Sequence, residues 1–98
     1  MIKKYYPYPA NDGKHKYYII TNNNKKVFFG AFGYSDYTIH KDDKRKQRYI
    51  DRHQKRESQF WDNPDKASYW ALKLLWNKES IEKSYDDIRK DLKRLNLI

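Results

Sequence analysis

Residues 67–76 read ASYWALKLLW, and this stretch decides where the centre of the fold lies. Wound into a helix, it is apolar on nearly every side, and a helix of that kind is usually buried within its domain. The preceding Asp62-Asn63-Pro64 places a capping residue before a proline, which is typical of a helix start. We therefore predict a core helix over about residues 64–77. Its buried side chains are predicted to be Trp70, Leu74 and Leu75.

Two further elements are predicted to pack against this helix. Residues 15–32 place aromatic and β-branched side chains on both sides of Asn22-Asn23-Asn24, which tolerates the positive φ of a hairpin turn. Residues 81–95 form an amphipathic helical pattern that Ser80 can cap. The apolar stripe of that helix consists of Ile81, Tyr85, Ile88, Leu92 and Leu95.

A third helix is predicted over residues 42–57, because the segment has neither glycine nor proline and is rich in helix formers. Its narrow stripe of Tyr49, Ile50 and His53 would seat it on the core. The predicted fold is therefore α+β and forms a single domain over residues 1–98. An N-terminal β-hairpin, with room for a short extra strand, packs against three α-helices.

Composition narrows the classes of function. The chain has 98 residues and no cysteine, which excludes disulfide frameworks and thiolate metal sites. Its aromatic content of 17% favours a folded core over disorder. The sequence contains no apolar run near the roughly 20 residues that span a bilayer. We predict no metal, no cofactor and no membrane association.

The net charge of +9 is concentrated in the first part of the chain. Residues 1–60 hold 14 Lys and Arg against 6 Asp and Glu, a net charge of +8. Residues 61–98 hold 8 against 7, a net charge of +1. A localised positive excess indicates an anionic partner more strongly than a diffuse one does.

The excess peaks in residues 33–57, where an aromatic corner from Gly33 to Tyr37 runs into the basic helix. A row of flexible or bidentate cations suits phosphate contacts and attracts nucleic acid without reading its sequence. Tyrosines beside such a row can stack on unpaired bases. The predicted phosphate contacts are Lys44, Arg45, Arg48, Arg52, Lys55 and Arg56, and the predicted stacking residues are Tyr34 and Tyr37.

Two other interpretations of this segment stay open. The charges could form a solvated face with its own i,i+4 pairs, such as Asp51 with Lys55. A nuclease would need His40 or His53 close to Asp36 or Asp42, around a metal or phosphate pocket. The histidines do not have zinc-ligand spacing, and no nucleophile and base can be paired, so no catalytic residue is predicted.

Residues 27–78 resemble a family of small uncharacterised basic proteins of large DNA viruses, which carries a domain-of-unknown-function label. The phrases GYSDYTIHKD at residues 33–42 and LLWNK at residues 74–78 carry the resemblance. The chain departs from it at Glu79-Ser80, where a Pro-Thr pair commonly opens the last helix, although serine caps as well as threonine. The resemblance implies a viral origin and a fold, and it supplies no catalytic residues.

We expect a viral protein that binds DNA or RNA, or another polyanion, with low sequence specificity and no catalysis. The alternative is a minor virion or protein-interaction component whose basic face meets acidic protein surfaces. In that case the aromatic N-terminal segment and Trp61 would form an apolar contact patch. Either protein would be intracellular in an infected host cell and not secreted, with packaging in the virion as a further option. The sequence leaves the oligomeric state open.

Overall fold

The computed structural model describes residues 3–98, so Met1 and Ile2 of the predicted domain lie outside the described residues. The fold is α+β, with a three-stranded antiparallel sheet followed by the helices, as predicted. Strands β2 (His15–Ile20) and β3 (Lys26–Ala31) form the predicted hairpin. The short β1 (Tyr8–Pro9) adds the extra strand on the outer side of β2.

The helical part contains more elements than the sequence predicts. A one-turn helix, α1 (Tyr37–His40), precedes the basic helix. The carboxylate of Asp36 accepts the amide of Thr38 and so caps the start of α1. The core helix begins as α3 (Ala67–Trp70) and continues as a π-helical turn (Ala71–Leu75). In a π-helix the backbone hydrogen bonds join residues five apart, instead of four apart as in an α-helix. The helical elements are α1 (Tyr37–His40), α2 (Asp43–Glu57), a 3-10 turn (Ser58–Phe60), α3 (Ala67–Trp70), the π turn (Ala71–Leu75) and α4 (Ile81–Arg94).

The predicted start of the core helix is wrong by three residues. Pro64 lies in a turn, because Asn63 accepts the amide of Asp65 at 3.0 Å with its side chain and that of Lys66 with its carbonyl. The indole of Trp70 then donates to the carbonyl of Pro64 at 2.7 Å. These bonds hold the segment in a turn, and the helix begins at Ala67.

The core lies between the sheet and the α3–π–α4 layer. Trp70, Leu74 and Leu75 are buried, as predicted. They pack with apolar side chains of the sheet and of α4, whose stripe is buried at its centre, while Leu95 is exposed. The other buried members are Tyr5, Ile19, Val27, Phe29, Tyr69, Tyr85, Ile88 and Leu92. No helix in residues 3–98 is long and apolar enough to cross a membrane.

The apolar contact patch predicted from the N-terminal segment and Trp61 stays a prediction, since Tyr5 is buried and Tyr6 is exposed. The ring of Tyr5 is buried, and its hydroxyl donates to Asp65 at 2.6 Å. Its carbonyl accepts the hydroxyl of Tyr85 at 3.0 Å. Tyr6 packs edge-on against Tyr85, and Trp61 is half-buried. The contacts of Tyr5 and Tyr6 with Tyr85 attach the segment to the core.

Gly30 lies in β3 beside Leu75 of the π turn. Its φ is 77°, in the left-handed region that favours glycine. A Cβ at this position would lie 2.8 Å from Cδ1 of Leu75 and 3.2 Å from Cβ of Lys16. Gly30 therefore permits both the backbone conformation and the close approach of the two layers.

We predict that Gly30→Ala destabilises the protein by about 2–4 kcal/mol, because it adds an overpacked contact to the cost of a left-handed alanine. Gly13→Ala is the matched control, since Gly13 has a φ of 72° with no atom within 4 Å of the added Cβ. The control should lose only about 1–2 kcal/mol. The free energy of unfolding of each variant is measured by urea unfolding, with tryptophan fluorescence as the signal. Equal losses in the two variants would show that the contact with Leu75 is unimportant.

Candidate functional site

A stack of aromatic side chains fixes the basic helix α2 to the rest of the protein. The rings of Tyr49 and Trp76 lie face to face, with centroids 4.4 Å apart and planes 8° apart. His53 stacks on the other face of Tyr49 at 4.1 Å, and His40 packs on Trp76 at 5.2 Å. We call these four side chains the aromatic stack. It joins the middle of α2 to the end of the π turn and to α1.

Two polar contacts add to this attachment near the start of α2. Lys46 donates to the carbonyl of Asn77 at 2.6 Å, and its ammonium lies 4.8 Å from the ring centroid of Tyr37. Tyr37 in turn donates its hydroxyl to Asp43 at 2.6 Å, which raises the pKa of Tyr37 to about 12. Together with the aromatic stack, these contacts fix which side of α2 faces outward.

The outward side carries all six predicted phosphate contacts. At 100° per residue they fall within an arc of about 120°. All six side chains are exposed. Within residues 3–98 none of them forms a side-chain hydrogen bond or an ion pair. We call this surface the cationic face, and it consists of Lys44, Arg45, Arg48, Arg52, Lys55 and Arg56.

The carboxylates of α2 are engaged elsewhere. Asp42 caps the helix by accepting the amides of Lys44 and Arg45, and these bonds lower the pKa of Asp42. Asp51 accepts the side-chain amide of Gln47 at 3.0 Å. Glu57 pairs with His53. The i,i+4 pair of Asp51 with Lys55 that would support a self-neutralised face does not form within the described chain.

The two predicted stacking residues have different environments. Tyr34 is 73% exposed and follows Gly33, whose φ of 87° turns the chain sharply after β3. Its ring is in no aromatic pair within residues 3–98. Tyr37 is only 6% exposed, and its hydroxyl is bound to Asp43. The prediction that Tyr37 stacks on a ligand is therefore wrong, because α1 turns its ring into the protein.

A cleft of about 420 Å³ lies beside the cationic face. Arg45 and Arg52 line it together with the exposed Tyr34. Apolar atoms come from Leu75 and Trp76, at the end of the π turn. The other side chains that line it are Lys16, Asp36, Tyr49, His53, Ala31, Ser35 and Ala71, with Gly30 completing the wall.

No sequence pattern predicts this cleft. Lys16 and Asp36 are 20 residues apart, and their ion pair anchors the aromatic corner on β2. Asp36 is buried, where it also accepts the hydroxyl of Thr38. The sequence places the lysine in a predicted strand and the aspartate in a predicted loop, and neither pattern predicts their contact. The ion pair is seen only in the folded structure, where the carboxylate of Asp36 is buried.

The histidines have packing roles in this structure. Nδ1 of His40 accepts the amide of Asp42 at 3.0 Å, and its Nε2 is buried without a hydrogen-bond partner in residues 3–98. Burial, followed by the charge of Arg45, lowers the pKa of His40. His53 contacts Glu57, and His40 lies beside Asp42, while the carboxylates of Asp36 and Asp42 cap α1 and α2. No group of three potential metal ligands occurs in the described residues.

Comparison with known proteins finds one family. Residues 8–53 match the model described as Family of unknown function (DUF5754). The matched segment runs from β1 to His53 in α2, so it includes the aromatic corner and most of the cationic face. This match is consistent with the prediction of an uncharacterised family, while the viral origin and the two sequence phrases stay predictions. No curated protein and no solved structure matches the chain.

We predict that His40 makes stability depend on pH. Its pKa is lowered in the folded protein, so the unfolded chain binds the proton first as the pH falls. The stability is therefore fully present above the ordinary histidine pKa of about 6.5 and is lost below it. His40→Phe keeps a ring between Tyr37 and Trp76 without the titration.

The free energy of unfolding should be measured for both proteins at about pH 7.5 and about pH 5. The wild type should lose more stability than the variant over this interval. His15 and His53 are present in both proteins, so the comparison isolates the contribution of His40. An equal loss in the two proteins would contradict the assignment.

Proposed function

We propose that the protein binds nucleic acid through the cationic face, with low sequence specificity and no catalysis. The observation that carries this proposal is the set of six exposed cations on one side of α2, none of which has a carboxylate partner in residues 3–98. Arg and Lys in such a row can each meet a phosphate and release its counterions. Phosphate contacts of this kind do not depend on base sequence.

The repulsion between like charges along α2 is a second argument for an anionic ligand. Lys44, Arg48, Arg52 and Arg56 follow each other at i,i+4, so three like-charged pairs adjoin on the helix surface. Each such pair destabilises a helix by about 0.2–0.5 kcal/mol. Phosphates bound along the row would relieve this repulsion, whereas an ordinary solvated helix would intersperse carboxylates.

The finer proposal is that this is a viral protein, which acts inside an infected host cell and is not secreted. The phrases GYSDYTIHKD and LLWNK support it through the family that they resemble. The match to an uncharacterised family over residues 8–53 is compatible with it and adds no statement of source or activity. Packaging in the virion would follow if the bound nucleic acid is the genome.

A second candidate function is a protein-interaction component that meets acidic protein surfaces. Its support comes from Phe32, Tyr34 and Ile39, which are exposed apolar side chains close to one another in the aromatic corner and α1. An acidic partner with an apolar centre could contact them and the cationic face together.

The test compares binding of nucleic acid by two triple variants with the same loss of charge. We predict that Arg45→Gln, Arg48→Gln and Arg52→Gln together weaken binding and reduce the slope of log K against log salt concentration by about 2–3, because each phosphate contact contributes about 0.7–0.9. The control carries Arg89→Gln, Lys90→Gln and Lys93→Gln on the exposed side of α4. Its slope should stay close to that of the wild type.

Fluorescence anisotropy with labelled DNA and RNA at several salt concentrations gives both slopes. For six phosphate contacts the affinity of the wild type should fall roughly 10³-fold between about 50 and about 200 mM salt. Equal slopes in the two variants would show that net charge alone attracts nucleic acid. A wild type that binds none at low salt would leave the acidic protein surface as the better candidate.

A further inference from the structure

We propose that the cleft holds one unstacked base of a single-stranded nucleic acid, with its neighbouring phosphates on Arg45 and Arg52. This inference rests on the proposed function and specifies its substrate as single-stranded DNA or RNA. It adds a binding site for the base to the phosphate contacts of the cationic face.

The size and lining of the cleft suit a nucleotide. A volume of about 420 Å³ falls within the range of pockets that bind small molecules. Arg45 and Arg52 are both exposed and line the cleft, so their guanidinium groups can reach phosphates outside it. Apolar atoms of Leu75 and Ala71 form part of the wall that a base would contact.

The charge balance also fits an anionic ligand with a neutral base. Lys16 is paired with the buried Asp36, so these two lining charges neutralise each other. His53 is paired with Glu57. Arg45 and Arg52 have no carboxylate partner in residues 3–98, and they supply the positive charge of the cleft.

Among the aromatic side chains of the cleft, Tyr34 is the one with a ring available for stacking. Tyr49 lies between Trp76 and His53, with ring centroids 4.4 and 4.1 Å away, so both of its faces are covered. Trp76 lies between Tyr49 and His40. Tyr34 is 73% exposed, and its ring has no aromatic neighbour in the described residues. A base in the cleft would therefore stack on Tyr34.

Tyr49 can contribute its hydroxyl to the site, because both faces of its ring are covered. Its hydroxyl has no hydrogen-bond partner in residues 3–98, and the residue lines the cleft. A phenolic hydroxyl donates and accepts, so it can meet the polar edge of different bases. This contact is compatible with low sequence specificity.

The site should discriminate against duplexes. A paired base must lose its stacking and its pairing before it can enter a pocket, whereas a single strand presents bases that are already unpaired. The cationic face alone makes no such distinction, because it contacts only phosphates. A preference for single strands would therefore come from the cleft and Tyr34.

The test uses labelled oligonucleotides of about 12 nucleotides, a length within the site sizes of single-strand binders. Single-stranded DNA, single-stranded RNA and the DNA duplex of the same sequence are titrated against the intact chain. Tyr34→Ala should weaken single-strand binding by about 5- to 150-fold, as expected for one lost stack. Duplex binding and its salt slope should not change. The strand, DNA or RNA, that loses more affinity is the one that depends more on the ring of Tyr34.

Two controls complete the experiment. Tyr34→Phe keeps the ring and should bind single strands like the wild type. Phe32→Ala removes another exposed aromatic from the same turn, outside the cleft, and should also leave binding unchanged.

The outcomes separate this inference from the proposed function. If Tyr34→Ala changes nothing, or weakens single-strand and duplex binding equally, the cleft holds no base, although salt-dependent binding would still support the cationic face. If Phe32→Ala causes the same loss as Tyr34→Ala, the apolar corner binds and the cleft does not. If the wild type binds no nucleic acid, both proposals fail.

Discussion

The face-to-face contact of Tyr49 with Trp76 joins the basic helix to the core, and the position of every cation on that helix depends on it. A charged helix of 15 residues is marginal by itself, and its row of like charges weakens it further. The aromatic pair contributes about 0.5–1.5 kcal/mol beyond the burial of its apolar surface. Lys46, bound to the carbonyl of Asn77, holds the start of the same helix.

The fixed rotation of α2 determines where both the cationic face and the cleft lie. Because the stack fixes the rotation of α2, Arg45 and Arg52 point along the side that borders the aromatic corner. Gly30 allows β3 to approach the π turn, and the pair of Lys16 with Asp36 holds the corner on the sheet. The cationic face and the cleft, for which we propose binding of phosphates and of a base, therefore lie side by side.

The sequence predicted the hairpin, the basic helix and the buried Trp70, because periodic patterns and apolar runs report which side chains are buried. It could not predict the π turn, since a run that is apolar at nearly every position fits hydrogen bonds between residues four apart and five apart equally well. It missed α1 because four residues carry no period, and with α1 it missed the burial of Tyr37. The cleft depends on contacts between distant residues, which a single sequence does not display.

The most direct test of the cationic face follows the arginine side chains by NMR while a single-stranded oligonucleotide is added. The chain has four arginines on the face, at positions 45, 48, 52 and 56, and two on α4, at positions 89 and 94. We predict that the Nε–H signals of the first four shift and that those of Arg89 and Arg94 do not. Shifts of similar size at all six, or larger shifts on α4, would contradict a binding surface on α2.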